Sequence, residues 1–230
     1  MPRSARKAPG EMVFHVINRG VGRRKLFLKE QDYAAFEGIL EEVLELVPTR
    51  LLAYCLMPNH WHLVLWPRRD GELARFMQRM TITHASRWQR HYDEAGYGHV
   101  YQGRFKSFPV QRDEHFLSVC RYVERNPLRS GLVRRAENWR WSSLWRRERV
   151  TDEQKRLLSD WPVRRPADWL PLVNRPQTDA ELAELRESIA RGRPFGSPQW
   201  RRATVGKLGL ESSIRPRGRP RKHPAANRRA

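Results

Sequence analysis

The sequence predicts an α+β fold, an antiparallel sheet backed by helices, and three observations carry that prediction. Short runs rich in β-branched, aliphatic and aromatic residues stand at 12–17, 50–57, 61–66 and 104–111, each bounded by turn-forming or charged residues. Between them, at 33–47, 71–92 and from 113 onward, apolar residues recur every three or four positions, as on one face of a helix. At 230 residues the chain is long enough for one core of ordinary size plus an extension.

Residues 1–10 carry Arg3, Arg6 and Lys7 with Pro2 and Pro9 and no periodicity, the pattern of a basic arm. The first strand, 12–17, closes at Asn18-Arg19-Gly20, a turn signal. Tyr33, Phe36, Ile39, Leu40, Val43, Leu44 and Val47 make the stripe of the first helix, which Pro48 ends. Strands 50–57 and 61–66 are joined by Pro58-Asn59 as a tight hairpin. The second helix, 71–92, buries Leu73, Phe76, Met77, Met80, Ile82 and Trp88 in this reading. The fourth strand belongs at a sheet edge, because Pro109 cannot donate to a ladder. A third helix starts near Asp113, carries Phe116, Leu117, Val119, Cys120 and Val123, and stops at Pro127. The order β-α-β-β-α-β-α is ferredoxin-like with an added helix, and the helices are expected on one face of the sheet.

This first domain is expected to span 11–147, closed by Trp139, Trp141 and Trp145 as core anchors. Residues 148–177 are a connecting segment rich in Pro, Arg and Trp. A helical hairpin follows over 178–210. Thr178-Asp179-Ala180-Glu181 has the form of a capping box, 192–196 is a break, and Ser197-Pro198 suits a second helix start. Such a pair is compatible with a helix-turn-helix and with an ordinary hairpin. A basic tail, 211–230, completes the chain, and residues 201–230 hold ten Lys and Arg against one acid, Glu211.

Forty-five Lys and Arg against 25 Asp and Glu give a formal charge of +20, which makes nucleic acid the first class of partner. A membrane is excluded as a span, since no segment approaches the roughly 20 apolar residues required. The expected location is cytoplasmic. Cys55 and Cys120 lack the spacing of a zinc knuckle or a disulfide framework and read as core residues.

Within this basic chain, His60 and His62 are separated by one residue at the head of an apolar strand. Side chains alternate faces there, so the two imidazoles share one face and Trp61 takes the other. Tyr122 and Asn126, four apart on the third helix, share a helix face and pair a phenol with an amide. A phenol suits covalent catalysis at phosphate, and a cation held by the histidines and Asn126 would polarise that phosphate. The ion would be divalent, Mg2+ or Mn2+, with imidazole favouring the latter. Tyr101 is the rival nucleophile, and His15, His84, His91, His99 and His115 read as surface or packing residues.

Pro58-Asn59-His60-Trp61-His62-Leu63-Val64, Asn18-Arg19-Gly20, residues 101–106 (YQGRFK) and residues 122–133 (YVERNPLRSGLV) together resemble the HUH single-tyrosine transposases, and among them the REP-associated branch. The resemblance covers roughly residues 10–147. It implies a bacterial, nucleoid-associated nuclease that cuts and rejoins single-stranded DNA near hairpins of repetitive palindromic elements, as monomer or homodimer. By that similarity the added helix is catalytic, Tyr122 forms a 5′-phosphotyrosine, His60 and His62 hold the metal and Asn126 assists. Arg19, Arg23, Arg24, Lys25, Arg104 and Lys106 are expected to hold phosphates. In the tail, Arg217, Arg219 and Arg221 around Gly218 and Pro220 resemble a minor-groove hook. The alternative is a non-catalytic DNA-binding regulator on the same scaffold. An RNA-binding module is disfavoured by the absence of a ribonucleoprotein aromatic motif.

Overall fold

The structure, a computed structural model, describes residues 7–96, 98–151 and 157–215. Strands β1 (Val13–Arg19), β2 (Arg50–Met57), β3 (His60–Trp66) and β4 (Lys106–Val110) form one antiparallel sheet in the order β2-β3-β1-β4. Helix α1 (Glu30–Leu46) links β1 to β2, α2 (Glu72–His91) links β3 to β4, and α3 (Glu114–Glu124) follows β4. The ferredoxin-like α+β arrangement is therefore the one the sequence predicts.

The sheet is covered on both faces, not one. Phe14, Val16, Leu51, Tyr54, Leu56, Trp61, Leu63 and Leu65 pack beneath α1 and α2. Val13, Leu52, Ala53, Cys55, Val64, Phe108 and Val110 turn to the opposite side and meet Phe116, Val119, Cys120 and Val123 of α3. The central strands are nearly continuous apolar runs, and a strand apolar on both sides needs a layer on each.

Several boundaries differ from the sequence reading. β1 continues through Asn18 and Arg19, because these residues pair with Trp61 and His60 of β3. The turn begins at Gly20, where a side chain would collide with the Arg24 carbonyl at 2.4 Å. Ile82 is 60 % exposed, on the flank of α2 and outside its buried stripe. α3 ends before Pro127, and Asn126–Arg129 form a short helix α4 with the proline in its first turn, where a missing N–H costs nothing.

The segment after α4 buttresses α3 from outside. Its helices are α5 (Ser143–Arg149) and α6 (Trp169–Asn174). Glu124 accepts hydrogen bonds from Ser143 Oγ at 2.7 Å and Trp169 Nε1 at 2.8 Å, while Arg125 donates to the carbonyls of Val173 and Asn174. Trp141 is buried and stacks on Tyr33, Trp139 donates to the Leu56 carbonyl, and Trp145 is only half-buried. Helices α7 (Asp179–Arg191), capped by Thr178 and Glu181, and α8 (Pro198–Leu208), capped by Ser197, precede a last short helix α9 (Glu211–Ile214). Phe195, in the α7–α8 turn, bonds to the Pro109 carbonyl and to Gln111 N–H, so the hairpin closes the β4 edge. No helix among the described residues is long and apolar enough to cross a membrane. Residues 1–6 of the basic arm, and 216–230 with Arg217, Arg219 and Arg221, lie outside the described residues.

Candidate active site

Register places the histidines. Met57 and His60 face each other across the two-residue hairpin, so β3 begins on His60, and Ile17 and Arg19 of β1 stand opposite His62 and His60. Directly paired residues share a face of the sheet. His60, His62, His15, Arg19, Phe108 and Lys106 therefore form one patch, and α3 lowers Tyr122 onto it.

The four residues expected to act together do converge. The His60 and His62 rings lie 5.0 Å apart, and Tyr122 stands edge-on to His62 at 5.8 Å. Asn126 Nδ2 is 2.7 Å from His62 Nε2. The Asn126 oxygen is occupied by Arg129 Nη2 at 2.8 Å, and the Arg129 guanidinium lies 4.2 Å over the Tyr122 ring. Asn126 thus reaches the site from the first residue of α4, because Arg125 keeps a right-handed helical conformation across the break.

Two residues were not foreseen. His15 is fully buried, and its Nε2 lies 2.9 Å from His62 Nδ1, which corrects its reading as an ordinary packing residue. Antiparallel pairing of β1 with β3 sets it opposite Val64, two residues from His62 on the same face, a relation visible only once the strand order is known. Arg129 is the other, and its place one turn beyond Asn126 was the available signal.

The electrostatics hold the imidazoles neutral. Burial, then the Arg19 and Arg129 charges, pushes the His60 pKa down to about 4. Burial, then the neighbouring His15 and His60, puts His62 well below its ordinary value. Burial alone brings His15 to about 3. Asn59 Nδ2 donates to the Arg23 carbonyl, leaving its oxygen to accept from His60 Nδ1 at 2.7 Å, so Nε2 of His60 carries the free lone pair. Two neutral imidazoles fit a divalent cation of the Mn2+ type, and Asn126 would join them only by releasing His62 Nε2 and turning its oxygen from Arg129. Among the described residues, the one trio of His, Cys, Asp or Glu with ligand atoms within 4.8 Å of one another is elsewhere, Asp113, Glu114 and His115. There Asp113 caps α3 and accepts from the His115 backbone and ring, which accounts for the cluster as a helix start.

Tyr101 is on the opposite face. Its hydroxyl receives Trp61 Nε1–H at 3.1 Å and meets His84 Nδ1 at 2.7 Å, which excludes it from the patch. Of the expected phosphate contacts, Arg19, Arg104 and Lys106 line a cleft of about 320 Å3 with Asn18, Gln102 and Gly103. Arg23 and Lys25 are exposed in the loop after β1. Arg24 is a correction: it is paired with both Glu94 oxygens at 2.6 and 2.7 Å and lies over Trp88, so its charge is already answered within the protein.

The sequence profile of the family described as transposase IS200-like matches residues 10–126, from the approach to β1 through Asn126. No curated protein sequence matches the chain. Among solved structures, a REP-associated tyrosine transposase bound to a REP hairpin is similar at 18 % identity and TM-score 0.48, over 64 % of this chain and 84 % of that one. A Deinococcus radiodurans protein assigned as a transposase is similar at 16 % identity and TM-score 0.38, over 57 % of this chain and 95 % of that one. The profile covers all four strands, both histidines, Tyr122 and Asn126, and the chain belongs to the IS200-like transposase family.

Proposed function

We propose that this transposase cleaves and rejoins single-stranded DNA beside hairpins, with Tyr122 as nucleophile and a divalent cation held by His60, His62 and Asn126. The observation that carries the reading is the meeting of Tyr122, from α3, with the two histidines of β3 on one sheet face. The preference for hairpin-flanked single strands rests on the motif resemblance, and the family membership supports a role in DNA transposition.

In this reading the Tyr122 oxygen attacks the scissile phosphorus and the bond from phosphorus to the 3′ oxygen breaks. The phenolic proton is lost to solvent, and the departing oxygen is protonated to a 3′-hydroxyl. A 5′-phosphotyrosine keeps the bond energy, and attack by another 3′-hydroxyl reverses the step. The cation, when bound, supplies Lewis-acid polarisation of the phosphate. Arg129, stacked on the Tyr122 ring, places a fixed positive charge beside the developing negative charge. Arg19, Arg104 and Lys106 carry the flanking strand along their cleft toward His60.

The test incubates the full chain with hairpin-flanked single-stranded oligonucleotides and Mn2+ or Mg2+ and assays for an SDS-stable adduct. An adduct that Tyr122→Phe abolishes is expected, while His62→Ala loses cleavage and keeps most phosphate-driven binding. An undiminished adduct in Tyr122→Phe, or none across a broad substrate set, overturns the assignment.

A further inference from the structure

A run of hydrogen bonds behind His62 has only one consistent direction. Arg129 can only donate, so the Asn126 atom it meets is the amide oxygen. The amide nitrogen then faces His62 Nε2 and donates to it, which requires a lone pair there. The His62 proton must sit on Nδ1, where it is donated to His15 Nε2 at 2.9 Å. His15 in turn carries its own proton on Nδ1, a buried atom with no partner among the described residues. A buried donor left unpaired in this way calls for an explanation.

We propose that His15 is a positioning residue of the metal site, accepting the Nδ1 proton of His62 so that the Nε2 lone pair is presented to the cation. The proposal rests on the metal-binding reading of His60 and His62 given above. Ligating histidines almost always donate their second ring nitrogen to a carboxylate, a carbonyl or water, and that contact fixes both tautomer and ring angle. Here another imidazole does it, from a different strand and 47 residues away. Phe108 and Tyr122 hold the His15 ring in place, with centroids at 4.9 and 6.4 Å. The one lone pair of His15 stays with His62, while the His62 Nε2 lone pair is released to a cation once the Asn126 amide turns away from it.

The test compares the full chain with His15→Phe, which keeps the ring volume and removes the acceptor, and His15→Gln, whose amide oxygen can replace it. Two readouts are taken, Mn2+ affinity by calorimetry in a Tyr122→Phe background with an uncut hairpin oligonucleotide present, and the His62 tautomer by 15N chemical shifts in metal-free protein. The wild type should show one Nδ1–H tautomer at His62. His15→Phe should shift the His62 Nδ1 resonance, whose proton loses its acceptor, and bind Mn2+ about 10–100-fold more weakly, with His15→Gln recovering most of the loss. Wild-type affinity in a folded His15→Phe overturns the proposal. So does an equal loss in both variants, the mark of a packing role, or an Nε2–H tautomer in the wild type. If the wild type shows the Nδ1–H tautomer but no Mn2+ binding, the metal-site reading fails, and the positioning role fails with it.

Discussion

Two buried tyrosines, both candidates for the nucleophile, should separate cleanly when each loses its hydroxyl. In Tyr101→Phe, Trp61 Nε1–H and His84 Nδ1 lose the oxygen that satisfies both, and Trp61 and His84 are 0 % and 4 % exposed. Each buried polar group left unpaired costs about 1–3 kcal/mol. The sum is about 2–6 kcal/mol, which for a chain of this size lowers Tm by about 10 °C. The Tyr122 ring packs against His62 and Arg129, but its hydroxyl makes no hydrogen bond among the described residues. Tyr122→Phe should therefore change stability by less than about 0.5 kcal/mol. Thermal melts read the first effect, and the SDS-stable adduct, assayed well below both melting points, reads the second. Tyr101→Phe should melt early and still form the adduct, while Tyr122→Phe melts normally and forms none. A Tyr101→Phe protein as stable as wild type would refute the reasoning about the Trp61 anchor, and an adduct that follows Tyr101 would refute the choice of nucleophile.

Other consequences follow from the same contacts. Burial lowers the His84 pKa from 6.5 to about 4, so the unfolded chain takes up the proton first and stability falls as pH drops from 6.5 toward 4. His84 alone should make the protein about 2 kcal/mol less stable at pH 5 than at pH 7, and urea unfolding of His84→Gln should show a pH dependence weaker by that amount. Glu124→Ala leaves Trp169 without its acceptor and Ser143 with the Tyr54 carbonyl alone, and a loss of about 2 kcal/mol in urea unfolding, with slower adduct formation, is expected. Wild-type stability in that variant would show that the buttress does not hold α3. Finally, Mn2+ should bind Tyr122→Phe about tenfold more tightly when an uncut hairpin oligonucleotide is present, and the oligonucleotide should gain by the same factor, both read by calorimetry.

Much of this architecture is written in local patterns. The period-two alternation around Trp61 sets the histidines on one face and the indole on the other, and the structure keeps both assignments. The four-residue spacing of Tyr122 and Asn126 survives even though the helix breaks between them. What stays hidden depends on distant partners. Nothing near His15 announces that β1 lies between β3 and β4, so its bond to His62 emerges only from strand order and register. Arg24 looks like its basic neighbours until Glu94, 70 residues on, is found against it. Ile82 sits at helical spacing, but the buried stripe of α2 drifts away from it, and a stripe's edge is set by what packs there.

The charge around the histidines explains why metal and DNA are expected to bind together. The charged side chains that bear on His60 are Arg19 and Arg129, and both act on His62 as well. The proposed ligands are neutral imidazoles and an amide, so they would offset none of a dication's charge. A carboxylate-rich site can hold a metal in advance, but this one adds a divalent cation to two guanidinium groups. A phosphodiester changes the balance, since its negative oxygens attract the cation and the arginines at once. Each partner therefore lowers the cost of placing the other, and linkage requires the two gains to be equal. Under the proposed function, the arrangement favours assembly of the cation on a strand already lying against Arg19 and Arg129, which would tie completion of the site to the arrival of DNA.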